Sequence, residues 1–317
     1  MDFQLSDDQR ALRAGTRELL AGRFGRDRMR AALDAGTDVD RVVWGELGAA
    51  GFFALRLPEA EGGVGLGLPE AVLLFEEAGR MLLPGPLAAT HLAAGAVKGA
   101  AEGGTVVAVL DEGRPVAHLG AADALIAVVD GEVRVLEGAA LRTLVRGAAR
   151  PVRSLDPLTP LHRVRAPAAL GDPLPGAGAA RFRREGTLLS AAEQLGSAAR
   201  TTEMAVQHAR GREQFGSPIG AFQAVKHLCA QMLVRAELAR AAVYAAAVTA
   251  DPVEIAGAKL LADEAAVRNA RDCLQVHGGM GFTWEADVHL HLKRAWLRAG
   301  QWLTAAEAEE ALAADLC

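Results

Sequence analysis

The sequence predicts a mainly α-helical protein with a small β domain in its middle. Two observations predict this order. Apolar residues recur at three- and four-residue spacing in the first hundred residues and again after about residue 186. Between residues 103 and 185, short β-type runs replace that spacing, and Pro and Gly become frequent. We therefore divide the chain into an N-terminal helical domain at 1–102, a reduced middle β domain at 103–185 and a C-terminal four-helix bundle at 186–317.

Several signals mark helix boundaries in the N-terminal region. Ser6 followed by Gln9 fits a capping box, in which two side chains satisfy backbone N–H groups at a helix start. A Gly-rich loop occupies 58–67, and a helix is predicted over 69–83. This helix begins with a proline in its first turn and stops at the Pro-Gly-Pro of 84–86. Apolar spacing marks the predicted buried faces, at Leu12, Leu19, Leu20, Trp44, Leu47 and Phe52.

Three short runs predict strands in the middle region, at Val106–Leu110, Ala124–Val129 and Val133–Leu136. The Asp130-Gly131 pair between the last two runs is a strong signal for a two-residue hairpin turn. The high Pro and Gly content from 151 to 178 indicates irregular structure after the hairpin.

Four amphipathic stretches after residue 186 predict four long helices, and such helices pack as a bundle. Gly278 and Gly279 end the third stretch. Each stretch is marked by its apolar face: Leu188, Ala192, Leu195, Ala199 and Val206; then Phe222, Val225, Cys229, Met232 and Ala236; then Ile255, Leu260, Ala265 and Leu274; and finally Val288, Leu292, Trp296 and Leu303.

Composition excludes several classes of protein. Of 317 residues, 51% are hydrophobic and 23% are charged, which is typical of a globular chain rather than a disordered one. The formal net charge of -5, without a basic block, argues against a nucleic-acid partner. No apolar stretch is long enough to span a bilayer, and the acidic N-terminus does not resemble a signal peptide. We therefore expect a cytoplasmic protein with no membrane partner.

No metal centre or nucleophile motif is expected. Cys229, Cys273 and Cys317 lie far apart, which indicates neither a disulfide framework nor a metal cluster. His289 and His291 are two residues apart, so on a helix they point about 200° away from each other and cannot share a zinc ion. The Gly-x-Ser-x-Gly elbow of serine hydrolases is absent from the sequence.

Two segments do not suit a plain core. Residues 210–232 place Arg212, Phe215 and two glutamines around a Gly-Ser-Pro turn between long helical stretches. Residues 275–285 end a helix with a His-Gly-Gly sequence and continue through another glycine and a Phe-Thr-Trp run. Taken singly, an arginine at a helix end is more often a solvated charge, and a glycine pair is more often just a helix stop.

Together these two segments resemble the C-terminal flavin-binding signatures of the acyl-CoA dehydrogenase family. The opening residues 2–13, the Trp-Gly-Glu-Leu-Gly run at 44–48 and the loop at 57–67 resemble that family's first helices and loop. The similarity covers most of the chain and is weakest over 103–185. It implies a helical domain, a β domain and a four-helix bundle, with FAD as the cofactor and a CoA thioester as the substrate.

The resemblance also implies a set of cofactor-binding residues. Arg212 would pair with the FAD pyrophosphate, since a guanidinium forms bidentate, charge-assisted hydrogen bonds with phosphate oxygens. Glycines allow close backbone approach, so the Gly-Gly pair would meet the adenosine and pyrophosphate of a partner's FAD. His227 and His277 are expected to hydrogen-bond in the core or in the same groove. The full set of implied FAD contacts is Arg212, Gln214, Phe215, Gln223, Gln275, Gly278 and Gly279.

The middle domain departs from the family pattern. The Thr-Glu-Pro and Gly-Ser-Asp type segment that contacts flavin and acyl-CoA is replaced by residues 106–120, and the tryptophan segment that shields the flavin is missing. We therefore expect the pocket for the flavin ring in this chain to be degenerate.

The catalytic carboxylate is the second departure. The reaction removes a proton next to the thioester, and the base must face the substrate opposite the flavin. The position used by most members falls near 300–302, where no carboxylate stands. A minority carry the base at the start of the first bundle helix, so Glu185 and Glu193 are the candidates. Alternatively, Glu185 is a favourable charge at a helix N-terminus and Glu193 a surface or interface carboxylate.

A third departure is an early chain end, without the family's closing helix. With these three departures, the chain resembles the smaller subunits of heterotetrameric acyl-CoA dehydrogenases of actinobacterial steroid side-chain degradation. This resemblance implies an α2β2 complex with a fuller homologue and, as a possible electron acceptor, electron-transfer flavoprotein. Two alternatives stay open: a self-sufficient homo-oligomeric dehydrogenase, and a non-catalytic structural subunit without flavin.

Overall fold

The computed structural model describes residues 4–36, 38–111, 113–165, 171–174 and 178–316. They form a mainly helical protein with small sheets, as the sequence predicts. Helices and strands alternate along the chain in the order α1 Asp7–Arg23, α2 Arg26–Ala35, α3 Arg41–Ala49, α4 Leu68–Met81, α5 Leu87–Ala93, β1 Val107–Asp111, β2 Val116–Ala117, β3 Ala124–Val129, β4 Glu132–Glu137, α6 Gly138–Gly147, β5 Ala149–Val152, β6 Leu161–Val164, β7 Asp172–Pro173, α7 Ala179–Gly211, β8 Glu213–Gln214, β9 Ser217–Pro218, α8 Gln223–Thr249, α9 Pro252–His277, α10 Val288–Arg298 and α11 Ala305–Asp315.

The chain divides into two compact units. The first contains residues up to Leu20, Val72–Leu82 and everything from Thr187 onward. The second contains Ala21–Ala71 and Leu83–Gly186. The three-part division made from the sequence stays a prediction. Among the described residues, no helix combines the length and the apolar character that crossing a bilayer requires.

The predicted capping box at the first helix is confirmed. The Ser6 backbone N–H donates to Gln9 Oε1 and the Gln9 backbone N–H donates to Ser6 Oγ, both at 3.1 Å. The helix that follows buries Thr16 and Leu20. In the second unit, Trp44 and Leu47 of α3 are almost completely buried, as their spacing predicts.

Strands β1 to β7 lie in two small sheets of the second unit. In the first sheet the order is β1-β3-β4-β7, with β1 parallel to β3 and the other pairs antiparallel. The second sheet has the order β2-β6-β5 and is antiparallel. The predicted hairpin joins β3 and β4, and its turn residues Asp130 and Gly131 have φ of 51° and 77°. Both values are positive, as a type I′ turn requires.

Helix α6 is a difference from the sequence prediction, which places only strands and irregular structure in this region. It directly follows β4 and starts at Gly138, whose φ is 55°. Its Leu141 and Leu144 are buried in the same apolar cluster as Leu125 and Leu136. Only these two positions are buried along ten residues, so the periodic signal is too short to distinguish a helix from a loop.

Helices α7, α8, α9 and α10 correspond to the four predicted bundle helices. The fourth is shorter than predicted, because it ends at Arg298 and Leu303 lies beyond it. The chain turns at Gly300 and at Trp302, whose φ is 63°. A further helix that the sequence analysis did not predict, α11, then begins at Ala305. Its start is a capping box formed by Thr304 and Glu307, a signal that the sequence does contain.

A close backbone crossing joins α4 to α7 within the first unit. A Cβ atom placed on Gly79 would lie 2.0 Å from the carbonyl oxygen of Glu193. A Cβ atom on Gly196 would lie 1.8 Å from the carbonyl oxygen of Glu76. The two glycines therefore let the helices approach to backbone contact, and any larger residue must push them apart.

This crossing yields a prediction. We expect Gly196→Ala to lower the free energy of unfolding by about 1–3 kcal/mol or more, since the methyl group overlaps a backbone carbonyl that cannot rotate away. Gly257→Ala in α9 is the matched control, because its new Cβ would lie 3.8 Å from Leu312 Cδ2, an ordinary contact. The control should be neutral or stabilising by about 0.5–1 kcal/mol through helix propensity. Urea unfolding followed by circular dichroism measures both, and equal effects would contradict the crossing.

Candidate functional site

The end of α7 leads into a two-residue hairpin turn that projects from the first unit. Glu213–Gln214 pairs with Ser217–Pro218, and the turn residues Phe215 and Gly216 have φ of 53° and 76°. The Phe215 side chain is 94% exposed. The Ile219 backbone N–H donates to the carbonyl of Arg212 at 2.7 Å and closes the hairpin at its base. A non-glycine residue with positive φ and an exposed aromatic ring is typical of a functional turn.

Arg212 stands at the base of this turn with its side chain exposed. Within the part of the chain that the structure describes, no carboxylate pairs with its guanidinium. Arg212 therefore presents an uncompensated cation. The Gln214 amide donates to the carbonyl of Glu213 at 2.9 Å, so this glutamine is folded back along the strand.

The start of α8 lies next to the turn. The Phe215 and Phe222 rings meet edge to face, with centroids 6.2 Å apart. Gln223, the first residue of α8, contacts His227 one turn later, with Nε2 atoms 3.2 Å apart. Both side chains are exposed, so they lie at the surface beside the turn rather than in the core.

The end of α9 presents an open glycine surface. Gly278 has φ of 60° and ψ of -144°, a conformation that L side chains rarely adopt. Nothing lies within 4 Å of a Cβ atom built on Gly278 or on Gly279. Gln275, one turn earlier, is exposed. The backbone of this segment is thus accessible to a bound group.

The structure brings the two signature segments together. His208 of α7 stacks on His277 of α9, with ring centroids 4.1 Å apart and planes inclined by 21°. Beneath them, Ala209 of α7, Met232 of α8 and Leu274 of α9 share one apolar cluster. An arginine without a carboxylate partner among the described residues, three glutamines, an exposed aromatic ring and an open glycine turn therefore share one end of the bundle. This donor set fits the pyrophosphate and adenosine of a dinucleotide.

Glu185 lies near the start of α7, in the second unit, and is held by two arginines. Arg56 donates to it from both terminal nitrogens, at 2.7 and 3.2 Å, and Arg181 donates from Nε at 2.8 Å. Burial raises the pKa of this carboxyl, but the hydrogen bonds and charge of Arg56 and Arg181 outweigh burial and bring its pKa below the ordinary value. The carboxylate is therefore ionised, weakly basic and fixed in direction.

A cavity of about 560 Å³ adjoins Glu185. Its walls include Phe53, Leu92, Phe182, Arg181 and the buried His91. Burial and the charge of Arg56 lower the pKa of His91 to about 4. The neutral ring contacts the carbonyl of Phe52 through Nδ1 at 3.1 Å, and the N–H on Nδ1 is the donor because a carbonyl only accepts. The volume suits a small ligand, and apolar walls meet polar groups at one end.

Glu193 lies two turns further along α7, in the first unit, and is buried. Its Oε1 accepts a hydrogen bond from Arg298 Nη2 at the end of α10. Both side chains are less than 10% exposed. The surface or interface role considered for Glu193 is therefore wrong in this chain, because the residue forms a buried ion pair inside the bundle.

The segment between α10 and α11 contains no carboxylate. Residues 299–304 turn the chain through Gly300 and Trp302 and then cap α11 with Thr304. This is the segment in which the sequence comparison with the family expects a glutamate. Glu307, just beyond it, accepts hydrogen bonds from the Thr304 backbone N–H and hydroxyl at 2.7 and 2.8 Å.

Sequence reasoning did not single out Arg56, His91 or His208. Arg56 meets Glu185 across 129 positions of sequence, and His91 meets Phe52 across 39 positions. No local pattern signals such pairs. His208 had a usable signal, since it lies four residues before Arg212 and shares its helix face.

Comparison with known families identifies the chain. The acyl-CoA dehydrogenase N-terminal domain matches residues 6–106, and the acyl-CoA dehydrogenase C-terminal domain matches residues 182–300. The chain is 35% identical over 305 residues to acyl-CoA dehydrogenase IpdE2 of Mycobacterium tuberculosis, with 91% of each chain covered. This protein therefore belongs to the acyl-CoA dehydrogenase family, a family of FAD-dependent oxidoreductases.

Another relative is much longer than this chain. Acyl-CoA dehydrogenase FadE34 of Mycobacterium tuberculosis is 36% identical over 323 aligned positions, which cover 89% of this chain but 45% of FadE34. Solved structures share the fold at lower identity. The ChsE4-ChsE5 complex from Mycobacterium tuberculosis aligns with a TM-score of 0.81 at 22% identity, covering 100% of this chain and 99% of that one. The FAD complex of PigA aligns with a TM-score of 0.84 at 19% identity, with the same coverage.

The lowered pKa of His91 predicts a pH dependence of stability. The unfolded chain binds a proton at this ring near pH 6.5, whereas the folded chain binds it only near pH 4. The stability that depends on a neutral His91 is therefore complete above about pH 6.5 and is lost as the pH falls toward 4, to a total of about 3 kcal/mol.

His91→Gln removes this titration. We expect the original protein to lose more unfolding free energy than this variant between pH 7 and pH 4.5, because only the original protein carries the His91 titration. The difference between the two proteins should therefore change with pH. Urea unfolding at both pH values measures it. A constant difference across this range would show that His91 does not titrate as its burial implies.

The buried ion pair gives a second prediction. Glu193→Ala should destabilise the fold by about 3–5 kcal/mol, because it leaves the Arg298 guanidinium without its buried carboxylate. The control is Glu264→Ala, which breaks the exposed Glu264–Arg268 pair one turn apart in α9. That change should cost less than about 0.5 kcal/mol. Thermal unfolding compares the two variants. An effect of Glu193→Ala as small as that of the control would contradict a stabilising buried ion pair.

Proposed function

We propose that this chain is the smaller subunit of an α2β2 acyl-CoA dehydrogenase that oxidises a CoA thioester with FAD. The observation that carries this proposal is the exposed end of the bundle, where Arg212, the Phe215 turn and the Gly278-Gly279 surface are open to solvent, and no carboxylate of the described residues pairs with Arg212. An exposed aromatic ring beside an uncompensated arginine suits an interface that closes around an anionic ligand. The proposed occupant is the dinucleotide half of an FAD shared with the partner subunit.

Each residue at this end has a proposed task. Arg212 neutralises the pyrophosphate with bidentate hydrogen bonds, and Gln275 and Gln223 donate amide hydrogens to ribose or adenine acceptors. Gly278 and Gly279 let the backbone approach the phosphates. Phe215 offers an apolar face, and Gln214 extends the polar rim beside it. When bound, FAD supplies the acceptor for the hydride that leaves the substrate.

The arrangement of carboxylates supports a base from the partner subunit. Glu185 is fixed by Arg56 and Arg181, and Glu193 is fixed by Arg298. A general base needs a pKa near the working pH and a lone pair directed at the substrate. Glu185 has a lowered pKa, its oxygens already accept three hydrogen bonds, and residues 299–304 offer no replacement.

The known relatives support a complex of two chains. FadE34 is about twice as long as its matched segment, which leaves room for a second unit in that protein. A chain with this fold also occurs in a structure of the ChsE4-ChsE5 complex. A fuller acyl-CoA dehydrogenase homologue is thus the proposed partner, electron-transfer flavoprotein the proposed electron acceptor, and the cytoplasm the proposed location. A steroid-derived acyl group is the substrate that the sequence resemblance favours.

Co-expression with a fuller homologue tests the proposal. The expected product is an α2β2 complex that contains FAD and reduces an electron acceptor when an acyl-CoA is added, whereas this chain alone is colourless and inactive. An isolated chain that is yellow and active would instead establish the homo-oligomeric alternative. In that case Glu185→Gln combined with Glu193→Gln should abolish turnover while flavin is retained.

Arg212→Ala provides the residue-level prediction. We expect this variant to weaken FAD retention in the complex roughly tenfold or more, since it removes charge-assisted hydrogen bonds of about 1.5–3 kcal/mol. The control is Arg210→Ala, which removes an exposed arginine of the same helix end. FAD absorbance per complex after dialysis is the measurement. Unchanged FAD content in Arg212→Ala would favour the structural subunit without a flavin role.

A further inference from the structure

The rings of His208 and His277 stack at the end of the bundle, and the sequence analysis did not predict this contact. His208 belongs to the last turns of α7, and His277 is the last residue of α9. Their rings overlap at 4.1 Å and are inclined by 21°. Both side chains are partly exposed, so the stack lies at the edge of the surface on which the dinucleotide groove is proposed.

His277 is fixed by its own helix. Its Nδ1 lies 2.8 Å from the carbonyl oxygen of Cys273, and this oxygen can only accept, so the ring donates from Nδ1. The following turn folds back onto the same residue, because a Cβ atom on Gly281 would lie 3.0 Å from His277 Cβ. His277 is therefore held between its own helix and the glycine turn that follows it.

His208 is linked to Arg212, on the other side of the proposed groove. It precedes Arg212 by one helical turn, and the Arg212 backbone N–H donates to the His208 carbonyl at 2.9 Å. Burial, then His277 and then Arg212 lower the pKa of His208, so the ring is neutral at pH 7. The His208–His277 stack therefore links the helix end that bears Arg212 to the helix end that bears the glycine turn.

We propose that His208 is a positioning residue, which sets the spacing between Arg212 and the Gly278-Gly279 turn by stacking on His277. This inference rests on the proposed function, since the spacing matters only if both arms hold one dinucleotide. The stack is a side-chain contact between α7 and α9 at the exposed rim, above the apolar cluster that packs the helices below it. A stacked aromatic pair contributes stability beyond its buried area, so we expect its loss to change several-fold the fraction of molecules in which Arg212 and the glycine turn are correctly spaced.

The role requires a flat ring and does not require a titratable one. His208→Phe keeps a ring that can stack on His277, whereas His208→Ala removes it. Gln207→Ala is the matched control, since Gln207 is the exposed neighbour on the same helix. If His208 contributed only to the stability of the bundle, each His208 variant would change hydrogen exchange in proportion to its loss of stability. The glycine turn would not be loosened selectively.

The experiment measures two quantities on the three variants and the original chain. Amide hydrogen exchange of residues 278–283, in the chain without FAD, reports the mobility of the glycine turn. The FAD dissociation constant of the assembled complex measures how tightly the proposed groove holds the dinucleotide. We expect His208→Ala to speed exchange in this segment and to weaken FAD binding, each about 3- to 10-fold. His208→Phe and Gln207→Ala should match the original chain in both.

Other outcomes would overturn the inference. If His208→Ala behaves like Gln207→Ala in exchange, or if His208→Phe loosens the turn as much as His208→Ala, the stack does not position the turn. If exchange changes but FAD binding does not, while Arg212→Ala still loses FAD, the positioning role is overturned and the proposed function stands. If Arg212→Ala also retains FAD, the proposed function is overturned, and the exchange comparison alone then decides whether His208 fixes the turn.

Discussion

The backbone contact between α4 and α7 is the constraint on which the first unit depends. Gly79 and Gly196 each lie against a carbonyl of the opposite helix, so the two helices approach more closely than side chains would permit. This approach places Glu76 and Glu77 of α4 in the interior, where both are about 1% exposed. Buried carboxylates at these positions need partners, since an unpaired buried charge is costly.

The partners come from helices that pack around the crossing. Arg17 of α1 donates two hydrogen bonds to Glu77, at 2.8 and 2.7 Å. Arg240 and Tyr244 of α8 both donate to Glu76, the tyrosine at 2.6 Å. Burial, Glu76 and the hydrogen bond to it raise the pKa of Tyr244 to about 12, so its hydroxyl keeps the proton that it donates. These polar contacts thereby join α1 and α8 to α4 beside its crossing with α7.

The same logic separates structural carboxylates from candidate catalytic ones. Glu193 and Glu185 lie on α7 eight residues apart, and each is neutralised by arginine from a distant part of the sequence. The arginine at the dinucleotide end, Arg212, has no such carboxylate within the described residues. These two carboxylates are therefore compensated inside the fold, whereas Arg212 is exposed at the surface where a ligand and a partner are proposed. This contrast is the physical basis for viewing the chain as one half of an active site.

The fold class, the hairpin at Asp130-Gly131, the caps at Ser6 and Gly278, and the family could all be predicted from the sequence, because each depends on spacing or turn chemistry within a few residues. It also contained the capping box at Thr304, which marks the helix that we did not predict. The seven proposed FAD contacts stay predictions, although the structure gathers their segments at one end of the bundle. The ion pairs of Glu185 and Glu193 could not be predicted from the sequence, since their partners Arg56 and Arg298 lie more than a hundred residues away and meet them only in the folded chain. It alone revealed the His208–His277 stack, because two rings on different helices meet only after the bundle has packed.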